Sequence, residues 1–412
     1  MATPRHSRKY DIVLLGATGY TGGITAEHIA RHLPTNIRWA IAGRSSTKLE
    51  ALATKLSGLN PDRQQPVIEV LSFDDREALH GLVKQAKVCI SVVSYWSVGT
   101  AVVEACVENA TDYVDTEGDV PMLRQWIDKF HDKAAANGTI LIHACGVFAA
   151  PEDVISWALV RELEKKHAAE TKEVIFAFTE LPQEISGGTI EAGAHPHPPA
   201  IAAQAENDAW YLSPTQGVKT SMSTNAFGIR QDVDMGVLPA AAFNPIVDRA
   251  IVHRTASLLR DRVRGYSPSF QYNEYVKASS LVDGLFLVLS KKIIDVVVHT
   301  PMLFKLARNF MPAPGDGPDV EKSRLSPTRA EAIAVAEPPP GETPRRMRGT
   351  LSYNSGPYLL TGLFMAEAAA SLLQSRSLEG QLTGGCLSPA FLGDNLLKRL
   401  ENVGVKIEIS DV

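Results

Sequence analysis

The sequence predicts an α/β fold, a doubly wound parallel sheet with an inserted α+β substrate domain, and three observations carry that reading. Short apolar, β-rich runs alternate with helical stretches through the first 150 or so residues. The first run feeds directly into a glycine-rich turn, Gly16-Ala-Thr-Gly19-Tyr-Thr-Gly22. After Gly146 the alternation breaks, and helical patterning returns only near the C-terminus.

Strands are expected over residues 10–15, 37–42, 67–71, 88–93, 113–114 and 139–143. Between them lie helices over 21–33, 100–108 and 121–136. Thr47 to Glu50 reads as a capping box, opening a helix with Leu49, Leu52 and Leu56 on one face. Beyond Gly146, residues 151–167 read as a helix and 174–178 as a strand. Residues 186–199 form a Gly-, Pro- and His-containing loop. The apolar stretch 277–311 is followed by a Pro-, Gly- and Ala-rich segment, 312–344, read as a surface loop. Helices over 358–373 and 388–402 and a strand over 405–409 close the chain. The domain boundaries follow: 1–155, an inserted 156–355, and 356–412 returning to the first domain.

Composition narrows the function. With 412 residues the chain is long enough for two cores, and a net charge of −5 offers no field for nucleic acid. Cys89, Cys106, Cys145 and Cys386 lie far apart, with no zinc-type spacing, which suits a reducing compartment. The basic residues of 1–9 precede no apolar leader segment, so a cytoplasmic location is expected.

A strand followed by this glycine turn and a helix is a Rossmann-type dinucleotide site. Gly16 and Gly19 allow tight turning and close approach to a pyrophosphate, and Gly22 lets the helix sit on the sheet. Thr18, Tyr20 and Thr21 complete the loop and the first helical turn, whose N–H groups favour phosphate. The second strand ends Ala42-Gly43-Arg44-Ser45-Ser46, with no carboxylate for a ribose diol. Arg44, Ser45 and Lys48 suit a 2′-phosphate, so the expected cofactor is NADP(H). Asp74 is placed by the adenine or at a helix N-cap. Ser91 and Ser94, closing the fourth strand, are placed beside the ribose and nicotinamide.

These motifs resemble the saccharopine dehydrogenase-like oxidoreductases, in particular the branch of trans-acting enoyl reductases. The resemblance rests on Gly16 to Gly22, Ala42-Gly-Arg44, Ala105-Cys106 with Tyr113-Val-Asp115-Thr-Glu-Gly118, and His143-Ala-Cys145-Gly146 with Pro151 and Asp153. It continues through Ser186-Gly-Gly-Thr189, Gly356-Pro-Tyr358, Gly384-Gly385, Ser388-Pro389-Ala390 and Leu392-Gly393-Asp394. It implies an NADP(H)-linked reductase whose inserted domain covers the substrate, and substrates that include enoyl groups of polyketide or lipid chains. Two departures concern the substrate pocket. The family's acid after Asp-Thr-x-Gly is present only as Asp119, and its Gly-Phe segment reads Gly146-Val-Phe148-Ala149.

Reduction of an activated C=C needs a hydride and a proton donor. Tyr95, His143 and Tyr358 are the catalytic candidates, each set against a packing role. Ser186 and Thr189 are candidate substrate-binding residues, set against a simple turn. Cys145 reads as an inert core thiol. His195-Pro-His197 lacks a third ligand in spacing, so no metal site is expected.

Leu281, Leu285, Leu289, Ile293 and Val297 recur every fourth residue. Asp283, Lys291, Lys292 and Asp295 interrupt them, which excludes a membrane span. A buried helix of the substrate domain is the default reading; contact with a lipid surface is the sharper alternative. The functional reading is an NADPH-dependent reductase acting on a hydrophobic, small-molecule or carrier-bound unsaturated chain. One rival is an imine reductase, whose dianionic substrate would need Arg254, Arg260, Arg262 and Arg264, residues that otherwise read as a solvated helix face. The other rival is a non-catalytic NADPH-binding protein on a lipid surface.

Overall fold

The structure, a computed structural model, describes residues 5–412 apart from 194, 196, 219–221 and 314. Residues 1–4 of the basic N-terminal run and Pro196 of the His-Pro-His run therefore lie outside the described residues.

The first half alternates as expected: β1 Tyr10–Leu15, α1 Tyr20–His32, β2 Trp39–Gly43, α2 Ser46–Leu59, β3 Val67–Val70, α3 Arg76–Val83, β4 Ala86–Ser91, α4 Thr100–Glu108, β5 Asp112–Asp115, α5 Val120–Asn137 and β6 Ile140–Ile142. Next come α6 Ala150–His167, β7 Thr171–Glu180, α7 Gly187–Gly193, α8 Pro199–Asn207, the hairpin β8 Ile229–Asp232 and β9 Gly236–Pro239, α9 Pro245–Leu259, β10 Tyr266–Val276, α10 Leu281–His299, α11 Pro301–Ala307, α12 Val320–Ser323, β11 Thr328–Ala336 and β12 Arg346–Tyr353. The chain ends with α13 Pro357–Gln374, β13 Gly385–Leu387, α14 Gly393–Asn402 and β14 Lys406–Asp411.

The parallel sheet has seven strands in the order β13-β6-β5-β4-β1-β2-β3. Its interior strand β1, between β4 and β2, is apolar on both faces. Ile12 and Leu14 enter one core and Val13 and Leu15 the other, as the two-residue period of a doubly covered strand requires. α13 is apolar nearly all round and lies buried against α1, β4 and β5. Local capping differs by a residue from the sequence reading. α2 is capped by Ser45, whose side chain accepts from the Lys48 N–H, and Thr47 is not the cap. Asp75, not Asp74, caps α3.

The second sheet runs β10-β7-β11-β12-β14 and is parallel only between β10 and β7. α6 and α9 cover one of its faces.

Two expectations are corrected here. Segment 312–344 is not a surface loop throughout: β11 lies inside it as the central strand of this sheet, with Ala330, Ala332, Ile333 and Ala334 buried. Small apolar residues between two prolines lowered the average hydropathy, yet they fit a strand covered on both faces. The apolar stretch, by contrast, is not a buried helix. Among the described residues of α10 only Gly284 and Val288 are buried, while Phe286 is 67% and Leu289 59% exposed. Gly284 is where the helix seats, against Ile229 and Val237 of the β8–β9 hairpin, and so small a seat leaves the other sides uncovered. No helix among the described residues is long and apolar enough to cross a membrane.

Candidate active site

The turn between β1 and α1 depends on two glycines. Gly16 has φ +77°, and a Cβ there would lie 2.5 Å from the Val92 carbonyl oxygen. A Cβ on Gly22 would run into the Gly16 carbonyl. The Gly16 and Ala17 N–H groups donate to the Ala42 carbonyl (3.1 and 3.3 Å), which ties the turn to the end of β2. Gly19 caps α1 without a side chain, so the first-turn N–H groups of Tyr20, Thr21 and Gly22 meet no side-chain acceptor. That is a cradle shaped for an anion.

Thr18 lies beside Gly43 at the same strand end. One residue on, Arg44 is exposed and makes no side-chain hydrogen bond or ion pair among the described residues; Lys48 is likewise exposed and unpaired. With Ser45 between them they form a cationic edge and no carboxylate, which fits a phosphorylated ribose. Asp74 is exposed and holds only Ser72. Ser91 is buried at the end of β4, and Ser94 is exposed at the turn that follows.

Four residues from three segments far apart in sequence meet beside this cradle. The Tyr358 hydroxyl accepts from the Ser186 N–H (2.8 Å) and shares a hydrogen bond with Thr189 Oγ1 (2.7 Å), and Thr189 Oγ1 lies 3.2 Å from Ser186 Oγ. The Tyr358 ring stands edge-on to Tyr20, 5.3 Å between centroids. Tyr20 donates its hydroxyl to the Pro318 carbonyl (2.8 Å), and Gly317 lies flat on the Tyr20 ring. A partly exposed phenol with a hydroxyl relay thus stands next to the first turn of α1.

Tyr95 and His143 are engaged elsewhere. Tyr95 donates to the Ser91 carbonyl (2.7 Å) and accepts from the Thr116 N–H (3.1 Å), bridging the ends of β4 and β5. Burial, and then Asp115, push its phenol well above the ordinary range. His143 Nδ1 bonds Asp115 Oδ2 at 2.7 Å, and its ring lies against Tyr113 and Trp126 under the sheet. Burial pulls the His143 imidazole down, but the Asp115 carboxylate outweighs it and the group rises to about 10. Beside it, burial pushes the Cys386 thiol up, while His131, His143 and Arg254 bring it down to about 7. The sequence motif contained Asp115 but gave no sign that it partners His143, which lies on the neighbouring strand.

His195 stacks on Trp96 and His197 meets it tilted, each ring 4.9 Å from the Trp96 ring. His197 Nε2 also reaches both Asp119 oxygens at 2.8 Å. Arg254 corrects the reading of 254–264 as a solvated face. It is buried and donates to the carbonyls of Cys386 and Leu212, so it holds β13 in place. Arg260 and Arg262 reach Thr215 and the Gly380 carbonyl.

The glycine cradle at the end of β1, with a cationic edge and no carboxylate beside it, fits an oxidoreductase of the Rossmann type that binds NADP(H). Comparison with known proteins narrows the class. Residues 12–142 match the family described as the saccharopine dehydrogenase NADP binding domain. A trans-acting enoyl reductase of Mycobacterium ulcerans is 27% identical over 424 residues, covering 97% of each chain. One from Mycobacterium bovis is 27% identical over 423 residues, again with 97% of each covered. Among solved structures, saccharopine dehydrogenase (L-Glu forming) of Saccharomyces cerevisiae shares the fold. Its TM-score is 0.53 at 14% identity, with 97% of this chain and 100% of that one covered. The chain is an NADP-dependent oxidoreductase whose residues 12–142 match the saccharopine dehydrogenase NADP binding domain.

Proposed function

We propose that the protein is an NADPH-dependent enoyl reductase acting in trans on a hydrophobic polyketide- or lipid-type chain, and that Tyr358 donates the proton. The observation that carries this reading is the end-to-end likeness to mycobacterial proteins named as trans-acting enoyl reductases. The geometry favours it over an imine substrate bearing two carboxylates. Arg254 is spent on main-chain carbonyls, and Arg260 and Arg262 serve other loops.

NADPH, when bound, supplies the hydride. The chain's own residues do the rest. Gly16, Gly19 and the first turn of α1 hold the pyrophosphate, and Arg44, Ser45 and Lys48 hold the 2′-phosphate. Thr189 and Ser186 orient the Tyr358 hydroxyl, which gives its proton to the carbon next to the thioester carbonyl. The half-buried Tyr95 and the buried His143 brace the strand ends. Incubation with NADPH and a panel of enoyl thioesters of rising chain length tests the proposal. Absorbance at the reduced nicotinamide band should fall fastest with the long chains; oxidation by imines alone would overturn it.

The exposed apolar helices favour a second element. Leu285, Phe286, Leu289 and Ile293 of α10 continue into Met302 and Leu306 of α11, with Lys291, Lys292, Lys305 and Arg308 among them. An apolar face edged with cations suits an anionic lipid surface, where a long acyl substrate resides. Flotation with anionic vesicles should carry the protein upward, and no association at low salt would remove this element.

A further inference from the structure

Three carboxylates meet where the first turn of α6, the first turn of α9 and the last third of β10 converge. They are Glu152, Asp248 and Glu274, at most 3% exposed, each offering an oxygen within 4.8 Å of the others. None of the four carboxylate oxygens of Glu152 and Asp248 receives a hydrogen bond from outside the trio among the described residues. Glu274 has only the Tyr272 hydroxyl, at 3.3 Å. The neighbouring Asp153 shows how this fold treats a buried carboxyl that is purely structural: Thr255 Oγ1 (2.6 Å) and the Ala390 N–H (2.9 Å) both donate to it.

Several kcal/mol attach to each buried charge left unpaired, so such a trio needs an internal counter-charge or protons. Two helix N-termini supply part of it, roughly half a charge each, against three carboxylates. Burial pushes all three groups up, Glu274 to about 7, and carboxylate neighbours raise Glu152 and Asp248 further. A cavity of about 210 Å³ touches Glu274 and opens beside α10, where Lys291 is already paired with Asp295 at 2.5 Å.

We propose that Glu152, Asp248 and Glu274 form a site for one hard divalent cation, reached through this cavity. The donor set is all oxygen, which selects Mg²⁺, Ca²⁺ or Mn²⁺ over softer metals. Three oxygens at most 4.8 Å apart would close by a few tenths of an ångström or more to hold one cation at about 2.0–2.6 Å from each. The site would fasten α6, which leaves the parallel sheet, to β10 of the second sheet. Residues 152, 248 and 274 show no ligand spacing in sequence because three separate elements deliver them.

The test uses the full chain, stripped with EDTA and dialysed. Addition of Mg²⁺, Ca²⁺ or Mn²⁺ should raise the melting temperature, with saturation at one metal per chain by elemental analysis. Asp248→Asn should weaken that binding by more than about tenfold, the loss already typical of outer-shell changes at metal sites. If Asp248→Asn fails to fold, Glu274→Gln serves the same purpose at the strand end. Unchanged melting with all three cations, and no bound metal at millimolar concentration, would overturn the proposal and leave three protonated acids.

Discussion

The two sheets of this molecule handle polarity in opposite ways. At the C-terminal edge of the parallel sheet, polar groups are buried in pairs: Asp115 with His143, Tyr95 with Ser91 and Thr116, Arg254 with the Cys386 carbonyl. The second sheet does the reverse at its margin, where α10 and α11 leave large apolar side chains outside. On the proposed reading, a strand edge braced by such pairs is what positions a cofactor. On the same reading, the uncovered apolar margin is where a lipid surface would be met, with chemistry at one sheet and access at the other.

The largest break in that division should come from Gly16→Val. Strain at φ +77° together with the clash on Val92 should cost about 3 kcal/mol, or roughly 100-fold in NADPH affinity by fluorescence titration. Vesicle binding should be untouched. Tyr358→Phe keeps the ring against Tyr20 but removes the hydroxyl. It should lower kcat about 100-fold with little change in KM or melting temperature, and an unchanged kcat would return the proton to water. Arg44→Ala should weaken NADPH by about 10- to 100-fold, the scale of a lost charge-assisted hydrogen bond. NADH should be nearly unaffected; equal weakening would remove Arg44 from the 2′-phosphate.

Much of the parallel sheet was legible in sequence because its strands and helices follow one another directly, and its glycines announce the turn. The second sheet was not. β11 hides among prolines, and β7 finds its neighbours more than 90 residues away in β10 and beyond. Tyr358, Ser186 and Thr189 could each be named from the sequence, but nothing in it says that they share hydrogen bonds across some 170 residues. Asp115 and Cys386 went unread as partners of His143 for the same reason.

Smaller effects sharpen the contrast. Leu285→Ser with Leu289→Ser should reduce partition onto anionic vesicles by about tenfold or more, given roughly 1.5–3 kcal/mol for each fully buried leucine. Activity on a short, soluble enoyl thioester should stay as it was.

The last effect concerns pH. His143 is raised to about 10 when folded, so its contribution is complete below about 6.5 and is lost as pH rises through 10. Cys386 is depressed to about 7, so its contribution is present above the free thiol's 9 and is lost as pH falls through 7. Between pH 7 and 9 the two slopes oppose each other, and urea unfolding of the wild type should vary little. Cys386→Ala should leave the histidine slope alone, with stability falling by up to about 1.4 kcal/mol per pH unit over that range. A flat Cys386→Ala profile would show that His143 is not raised without the thiolate beside it.

The placement of β13 has a consequence for how the chain is made. Gly385 pairs with Ile140, so the ribosome releases the whole second domain between two strands that end up side by side. Six strands of the parallel sheet are free to form early, with the outer edge of β6 open to solvent and to other chains. Arg254, which grips the Cys386 carbonyl, is synthesised before its partner and waits for it. Maturation should therefore end with the seating of β13, late in synthesis and slow because the contact is so remote. Chains cut short before Gly385 should be retained by chaperones rather than accumulate as a working half.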